Sequence, residues 1–222
     1  MSSKTLILFP TDPSTKFLER IFDYLSKKVS PENFTIIKID CTEEAHRSAI
    51  DEIEKIEYGS IIFLGHGNSS ALQGSKCEKF TKPQFLTHRE FAVFKRKNIM
   101  LVSCESSSLL KRAKGNFISG LGFGDLPTDW NDIQGARETD ASAYDGFTED
   151  TIESFRNYLT EMIQFTLGNY FQQEMTLSKV KDLLLLLINK KIATNYHQKV
   201  QNHEVLNDCL LIVKSGVHYF EE

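Results

Sequence analysis

The residues best suited to chemistry in this sequence are a histidine and a cysteine that each follow an apolar run. The stretch SIIFLGHGN, residues 60–68, carries His66 between two glycines, and NIMLVSCES, residues 98–106, carries Cys104. A thiol attacks a carbonyl carbon as the thiolate, and a nearby imidazole can accept its proton. The pair therefore predicts a nucleophile, Cys104, and a general base, His66.

The same two positions offer backbone donors for the negative charge that develops on a carbonyl oxygen under attack. Gly67 follows His66 and lets the backbone approach a substrate closely. The N–H of Cys104 would open the following helix, where amide groups lack intrahelical partners and the helix dipole is positive. We expect Gly67 and Cys104 to form an oxyanion hole.

Each of these residues alone also has an ordinary structural explanation. A cysteine at the end of a buried strand is usually a small core residue, and a single histidine more often has a structural contact. Catalysis is favoured here because the two residues occur together, in this order, at two strand ends. The remaining histidines have no glycine on either side: His46, His88, His197, His203 and His218.

Alternating strand and helix patterns must position the pair. Short apolar runs predict strands at 6–9, 34–40, 61–64, 99–103, 116–123 and 209–214. Helical spacing of apolar residues predicts helices at 13–29, 106–113, 149–172 and 177–198. Capping signals predict two more helices, one that begins after a Thr42 cap and one that runs from a Thr87–Glu90 capping box to 97.

This alternation predicts an α/β fold, a three-layer sandwich with a mostly parallel central sheet and helices on both faces. A right-handed crossover would make the strands at 61–64 and 99–103 neighbours or near-neighbours. Sites in such sheets form beyond the carboxyl ends of the strands, where His66 and Cys104 both stand. We expect residues 1–222 to form a single domain.

Composition narrows the possible partners. The net charge of −4 implies no general attraction to nucleic acid, and no run reaches the roughly 18 apolar residues of a membrane span. The cysteines Cys41, Cys77, Cys104 and Cys209 form no metal-binding pattern, so we expect no metal and no cofactor. No secretion signal is evident, which predicts a cytoplasmic protein with reduced thiols.

The sequence resembles the caspase-like (clan CD) cysteine peptidases, particularly their CHAT-type domains. FLGHGN followed by LVSCESSSLL is similar to that family, in which His-Gly follows one core strand and Cys follows the next. The stretch between them looks like the family's small hairpin and crossover helix. The resemblance covers about 5–165, with the C-terminal helices and last strand over about 149–222. It implies hydrolysis of peptide bonds in a protein or peptide substrate through an acyl-enzyme.

Two departures bear on specificity. A true caspase carries Gln-Ala before its cysteine and has its histidine further upstream, whereas Val102 and Ser103 precede Cys104 here. Cleavage after aspartate is therefore not expected. The region GFGDLPTDWNDI stands where such folds build the S1 wall, and we assign substrate binding to four of its residues: Asp125, Asp129, Trp130 and Asp132. The aspartates could pair with a basic side chain, although Asp in such loops often serves only to stabilise a turn.

The stretch 124–150 is polar, rich in Asp and Gly, and longer than ordinary connections require. Few large apolar residues are available to offset the entropy of ordering it. We predict high mobility across 133–147, where an activating partner or substrate could order the segment. Arg137 within it is a candidate site of self-cleavage.

Two other classes of function stay open. The glycine-rich loops GHGNSS and GLGFGD could cradle a phosphate and make the chain a nucleotide-binding domain, although neither is a complete phosphate-binding motif. The chain could also be a catalytically inactive α/β interaction module that kept the fold. The intact histidine and cysteine count against this last alternative.

Overall fold

The structure is a computed structural model, and it describes residues 4–75, 77 and 84–222. The strands are β1 (Lys4–Pro10), β2 (Phe34–Ile39), β3 (Tyr58–Leu64), β4 (Ala71–Gln73), β5 (Gln84–Thr87), β6 (Asn98–Val102), β7 (Ser119–Gly122) and β8 (His218–Glu221). The α-helices are α1 (Glu19–Lys28), α2 (Glu43–Glu54), α3 (Ser106–Arg112), α4 (Trp130–Thr139), α5 (Glu149–Gln173), α6 (Leu177–Gln198) and α7 (His203–Gly216). Short 3-10 helices span Pro13–Leu18 and His88–Phe94.

The main sheet is mostly parallel. Its six strands lie in the order β2-β1-β3-β6-β7-β8, and only β8 runs antiparallel to its neighbour among these pairs. The predicted α/β class is confirmed, as is the pairing of the two strands that precede His66 and Cys104. All five parallel strands deliver their carboxyl ends to one edge, where sites form in such sheets.

Helices cover both faces of the sheet because its central strands are apolar on both faces. In β1, Ile7 and Phe9 pack on one side while Leu6 and Leu8 pack on the other, as the period of two requires. The first side, the α5 face, buries α1, α5, α6 and α7; the second, the α2 face, buries α2, α3 and the 3-10 helix His88–Phe94. The three layers predicted from the sequence are therefore present.

Local signals of helix initiation are confirmed. The Thr42 hydroxyl accepts a hydrogen bond from the N–H of Ala45 at 3.1 Å. The Glu90 carboxylate accepts one from the N–H of Thr87 at 2.8 Å, as a capping box requires. Between His66 and this box the chain forms the antiparallel hairpin β4–β5, in a region where mostly loop is predicted.

The predicted strand at 209–214 is wrong, because these residues belong to α7. The short apolar run hides a longer helical period in which Leu206, Cys209, Leu210 and Val213 are all buried. The final strand is instead β8, which pairs with β7 and closes that edge of the sheet.

The stretch 124–150 is not the plain loop that its composition predicts. It contains α4, which begins after an Asp129 cap that accepts a hydrogen bond from the N–H of Asn131 at 2.9 Å. The Arg137 guanidinium donates to the carbonyl oxygens of Ala143, Tyr144 and Phe147. One cation thus satisfies three carbonyls, and Ile133 and Phe147 of the same segment are buried. The predicted mobility of 133–147 stays a prediction, and these contacts oppose it.

Two of the cysteines expected to be reduced are instead joined. Cys41, just after β2, forms a disulfide with Cys77, and their Cα atoms lie 6.1 Å apart. A hydrogen bond also joins the chain before Cys77 to β2: the Ser75 hydroxyl donates to the Ile39 carbonyl at 2.5 Å. The sequence separation of 36 residues gives no local sign of this proximity. Cys104 and Cys209 are free thiols.

Across the described part of the chain, no helix has the length and apolar character that crossing a membrane would need.

Candidate active site

The two predicted catalytic residues lie at neighbouring strand ends. β3 and β6 pair in parallel as far as Leu64 and Val102, and the Gly65 N–H then donates to the Val102 carbonyl at 3.2 Å. His66 and Cys104 each follow two residues after the last pair. The prediction that their strands are neighbours is confirmed, and both residues stand at the carboxyl edge of the sheet.

Gly67 brings the two strand ends into close packing. A Cβ atom at this position would lie 2.7 Å from the Ser103 hydroxyl and 3.3 Å from the Cys104 carbonyl oxygen. Only a residue without a side chain fits there unless Ser103 moves. The loop that carries His66 therefore contacts the backbone that carries Cys104.

The N–H of Gly67 is directed away from the neighbouring hairpin. Gly67 forms an antiparallel bridge with Leu72, and the hydrogen bonds beside it are Gln73 N–H to His66 carbonyl, 2.9 Å, and Asn68 N–H to Ala71 carbonyl, 3.0 Å. A residue between two such bonds turns its own N–H to the opposite side. This orientation suits a donor aimed at a bound carbonyl oxygen.

The His66 side chain bonds residues at the end of β1, the strand on the other side of β3. Its Nε2 lies 2.5 Å from the Ser14 hydroxyl oxygen and 3.6 Å from the Asp12 carboxylate. Ser14 in turn donates to Asp12 through both its N–H, at 2.9 Å, and its hydroxyl, at 2.5 Å. The His66 side chain is 31% exposed, so the imidazole remains open to solvent.

Cys104 has a very different environment. Its thiol packs against the core of the α5 face and lies 3.4 Å from the Leu126 carbonyl oxygen. Burial raises the pKa of Cys104 to about 12, and the negative charges of Asp125, Asp132 and Glu105 act in the same direction. The thiol is therefore protonated at neutral pH.

The four residues predicted to bind substrate do not act as one group. Asp129 and Asp132 line a cleft together with His66 and Gly67. Asp125 instead accepts a hydrogen bond from the Tyr144 hydroxyl, and burial raises the pKa of that tyrosine. Trp130 packs against the α5-face core under the Arg137 guanidinium, 5.3 Å from its ring.

The cleft beside His66 is acidic. Its volume is about 470 Å³, and its wall includes the carboxylates of Asp12, Asp129 and Asp132. Negative charge of this density favours a cationic ligand and repels a phosphate. The geometry therefore does not favour the interpretation of GHGNSS as a phosphate-binding loop.

No group of three or more His, Cys, Asp or Glu side chains within the described ranges is arranged to hold a metal ion. A comparison of the sequence with protein-family models finds no match, and a comparison with curated proteins finds none either.

Ser14 is not predicted from the sequence, in which Asp12–Pro13 indicates only the start of a helix. The capping role is real, since Asp12 caps the 3-10 helix Pro13–Leu18. The positions of Asp12 and Ser14 in the chain could have indicated the contact with His66, because both residues follow β1, whose carboxyl end lies beside that of β3. Leu126, which lies over the thiol, was missed because nothing in its local sequence points to Cys104.

Proposed function

We propose that this chain is a cysteine endopeptidase of the caspase/CHAT type, with Cys104 as nucleophile and His66 as base and then acid. The observation that carries the proposal is the junction of the two strand ends, where Gly67 packs directly on Ser103 and Cys104. The hairpin β4–β5 and the 3-10 helix His88–Phe94 between the motifs agree with the features that the resemblance implies.

The chemistry would follow from these residues. The Cys104 thiol transfers its proton to His66, and the thiolate attacks the scissile carbonyl carbon. The N–H groups of Gly67 and Cys104 stabilise the oxyanion. His66 then gives the proton to the leaving amine, and water attacks the thioester to release the acid and regenerate the thiol.

The protonated thiol indicates a resting state in this mechanism. A pKa of about 12 leaves about one Cys104 in 10⁴ as thiolate at pH 8. Displacing Leu126 and the carboxylate-bearing segment around it would expose the thiol and lower its pKa. We assign that displacement to substrate or to an activating protein partner.

A preference for basic residues at the P1 position is part of the proposal. The support is the acidic cleft, whose wall contains Asp129 and Asp132 together with His66 and also Asp12, 3.6 Å from the His66 Nε2. A lysine or arginine side chain would pair with these carboxylates. A cytoplasmic location also stays a proposal, and the Cys41–Cys77 disulfide is evidence against it.

An inactive interaction module is the second candidate, and a specific observation favours it. The hydrogen bonds of the dyad side chains go elsewhere, from His66 to Ser14 and from Cys104 to Leu126. A pseudoenzyme would keep this arrangement permanently, whereas a peptidase must leave it during turnover.

Covalent labelling distinguishes the two candidates. We expect a peptidyl acyloxymethyl ketone with arginine at P1 to label the wild type, and Cys104→Ala and His66→Ala to lose that labelling. Cys209→Ala is the matched control, because Cys209 is also a free thiol whose pKa is raised to about 12 by burial. The same probe with aspartate at P1 should react at least tenfold more slowly. Equal labelling of wild type and Cys104→Ala, or no labelling of either, would favour the inactive module.

A further inference from the structure

The contact between His66 and the end of β1 has a defined direction of proton donation. An aspartate carboxylate only accepts hydrogen bonds, so the single hydroxyl proton of Ser14 is used on Asp12, 2.5 Å away. The Ser14 oxygen is then an acceptor towards His66 Nε2, also 2.5 Å away. His66 must therefore carry a proton on Nε2.

We propose that Ser14 and Asp12 are positioning residues that hold the neutral His66 imidazole as its Nε2–H tautomer, leaving Nδ1 as the basic nitrogen. A base with the wrong tautomer cannot accept a proton through the nitrogen that faces its donor. The pair also places a carboxylate 3.6 Å from Nε2, where it would stabilise the imidazolium formed when the thiol loses its proton. The catalytic part of this proposal rests on the proposed function, whereas the tautomer does not.

A helix cap alone does not explain this arrangement. Capping of the 3-10 helix uses the bond from the Ser14 N–H to Asp12, and that bond would survive without the hydroxyl. The hydroxyl adds a second bond to the same oxygen and faces the imidazole. Both side chains lie on the wall of the cleft, and the Asp12 side chain is only 13% exposed.

The molecule contains an internal control for this motif. Asp140 accepts hydrogen bonds from the N–H of Ser142 at 2.9 Å and from its hydroxyl at 2.7 Å, as Asp12 does from Ser14. This second Asp-x-Ser turn is exposed and follows α4. Ser142→Ala therefore removes the same local bond without affecting the histidine.

The test uses the full chain with ¹⁵N-labelled histidine rings, with His66 assigned by its loss in His66→Gln. We expect the nitrogen spectrum of neutral His66 to show the Nε2–H tautomer in the wild type. Ser14→Thr keeps a hydroxyl and Asp12→Asn keeps an oxygen acceptor, so both should retain that tautomer. Ser14→Ala should convert His66 to a mixture of tautomers, and Ser142→Ala should leave it unchanged.

Labelling by the arginine probe supplies the second readout. We expect the rate to fall tenfold or more in Ser14→Ala, to stay within twofold of wild type in Ser142→Ala, and to be higher in Ser14→Thr than in Ser14→Ala. A pure Nε2–H tautomer in Ser14→Ala, or an Nδ1–H tautomer in wild type, would overturn the positioning role. Failure of the wild type to label would overturn the peptidase proposal alone, because the tautomer is measured without any reaction.

Discussion

The ends of β3 and β6 lie side by side at the carboxyl edge of the sheet, yet they present their functional residues in opposite ways. His66 faces an open acidic cleft and contacts Ser14 in the 3-10 helix that follows β1. Cys104 is partly buried with its thiol 3.4 Å from the Leu126 carbonyl oxygen, and burial raises the pKa of that thiol. In the proposed mechanism, the base faces the cleft and the nucleophile is kept protonated. Under the proposed function, control of reactivity therefore lies at the end of β6.

The two ends also differ in what holds them. Asp12 and Ser14 are two residues apart and form their mutual contact within one turn. The contact between Cys104 and Leu126 joins residues 22 positions apart. Helix α4, which follows Leu126, buries only Ile133, and segments with few buried apolar contacts open at lower cost than the core. Under the proposed function, the thiol end is therefore the part of the site that a partner or substrate would rearrange.

The largest expected effect is the pH dependence of Cys104 alkylation. In Cys209→Ala, where Cys104 is the remaining free thiol, the iodoacetamide reaction should accelerate about tenfold per pH unit from pH 8 to about 11, since the pKa is about 12. The free energy of unfolding should fall over the same range. The Cys104 thiol keeps its proton in the folded state above the ordinary thiol pKa of about 8.5, so folding stability is lost as pH rises beyond that value. Mass spectrometry measures the rate, with circular dichroism as a check of folding. A rate that levels off near pH 8.5 would show that the thiol is not suppressed.

A smaller effect is expected from loosening the segment over the thiol. Arg137→Ala removes the cation that binds three carbonyls after α4, so the segment should open more often. We expect Cys104 alkylation at pH 8 to accelerate about tenfold. Arg47→Ala is the control, because Arg47 lies on the exposed face of α2, where it pairs with Glu43. An unchanged rate in Arg137→Ala would mean that Leu126 is held over the thiol by other contacts.

The sequence is informative where short-range patterns decide the structure. Apolar runs and helical spacing predict the central strands and the helices α5 and α6, because the residues that these elements bury recur at a regular spacing along the chain. The same patterns place His66 and Cys104 at strand ends. The run at 209–214 misleads because it samples too little of the helical period of α7.

What the sequence leaves hidden depends on tertiary contacts. Ser14 meets His66 only because β1 lies beside β3, and Cys41 meets Cys77 only because the chain after β4 packs on β2. Composition predicts little burial for 124–150. The segment nevertheless contains α4, which is held by the buried Ile133 and by the hydrogen bond from Arg137 to the Phe147 carbonyl. The motif predicts an activated thiol at Cys104, whereas burial raises the pKa of that thiol.

The smallest expected effect concerns the contact that joins the two strand ends. Gly67→Ala would bring a Cβ atom to 2.7 Å from the Ser103 hydroxyl and 3.1 Å from its Cβ, and such overpacking typically costs about 1 to 3 kcal/mol of unfolding free energy. The Ser103 hydroxyl is buried and makes no hydrogen bond within the described chain, so Ser103→Ala should cost little. The double variant should recover about half of the loss, because the closest contact is then gone while the 3.1 Å contact remains. Urea unfolding of the four proteins measures this coupling, and strictly additive effects would contradict the packing described between Gly67 and Ser103.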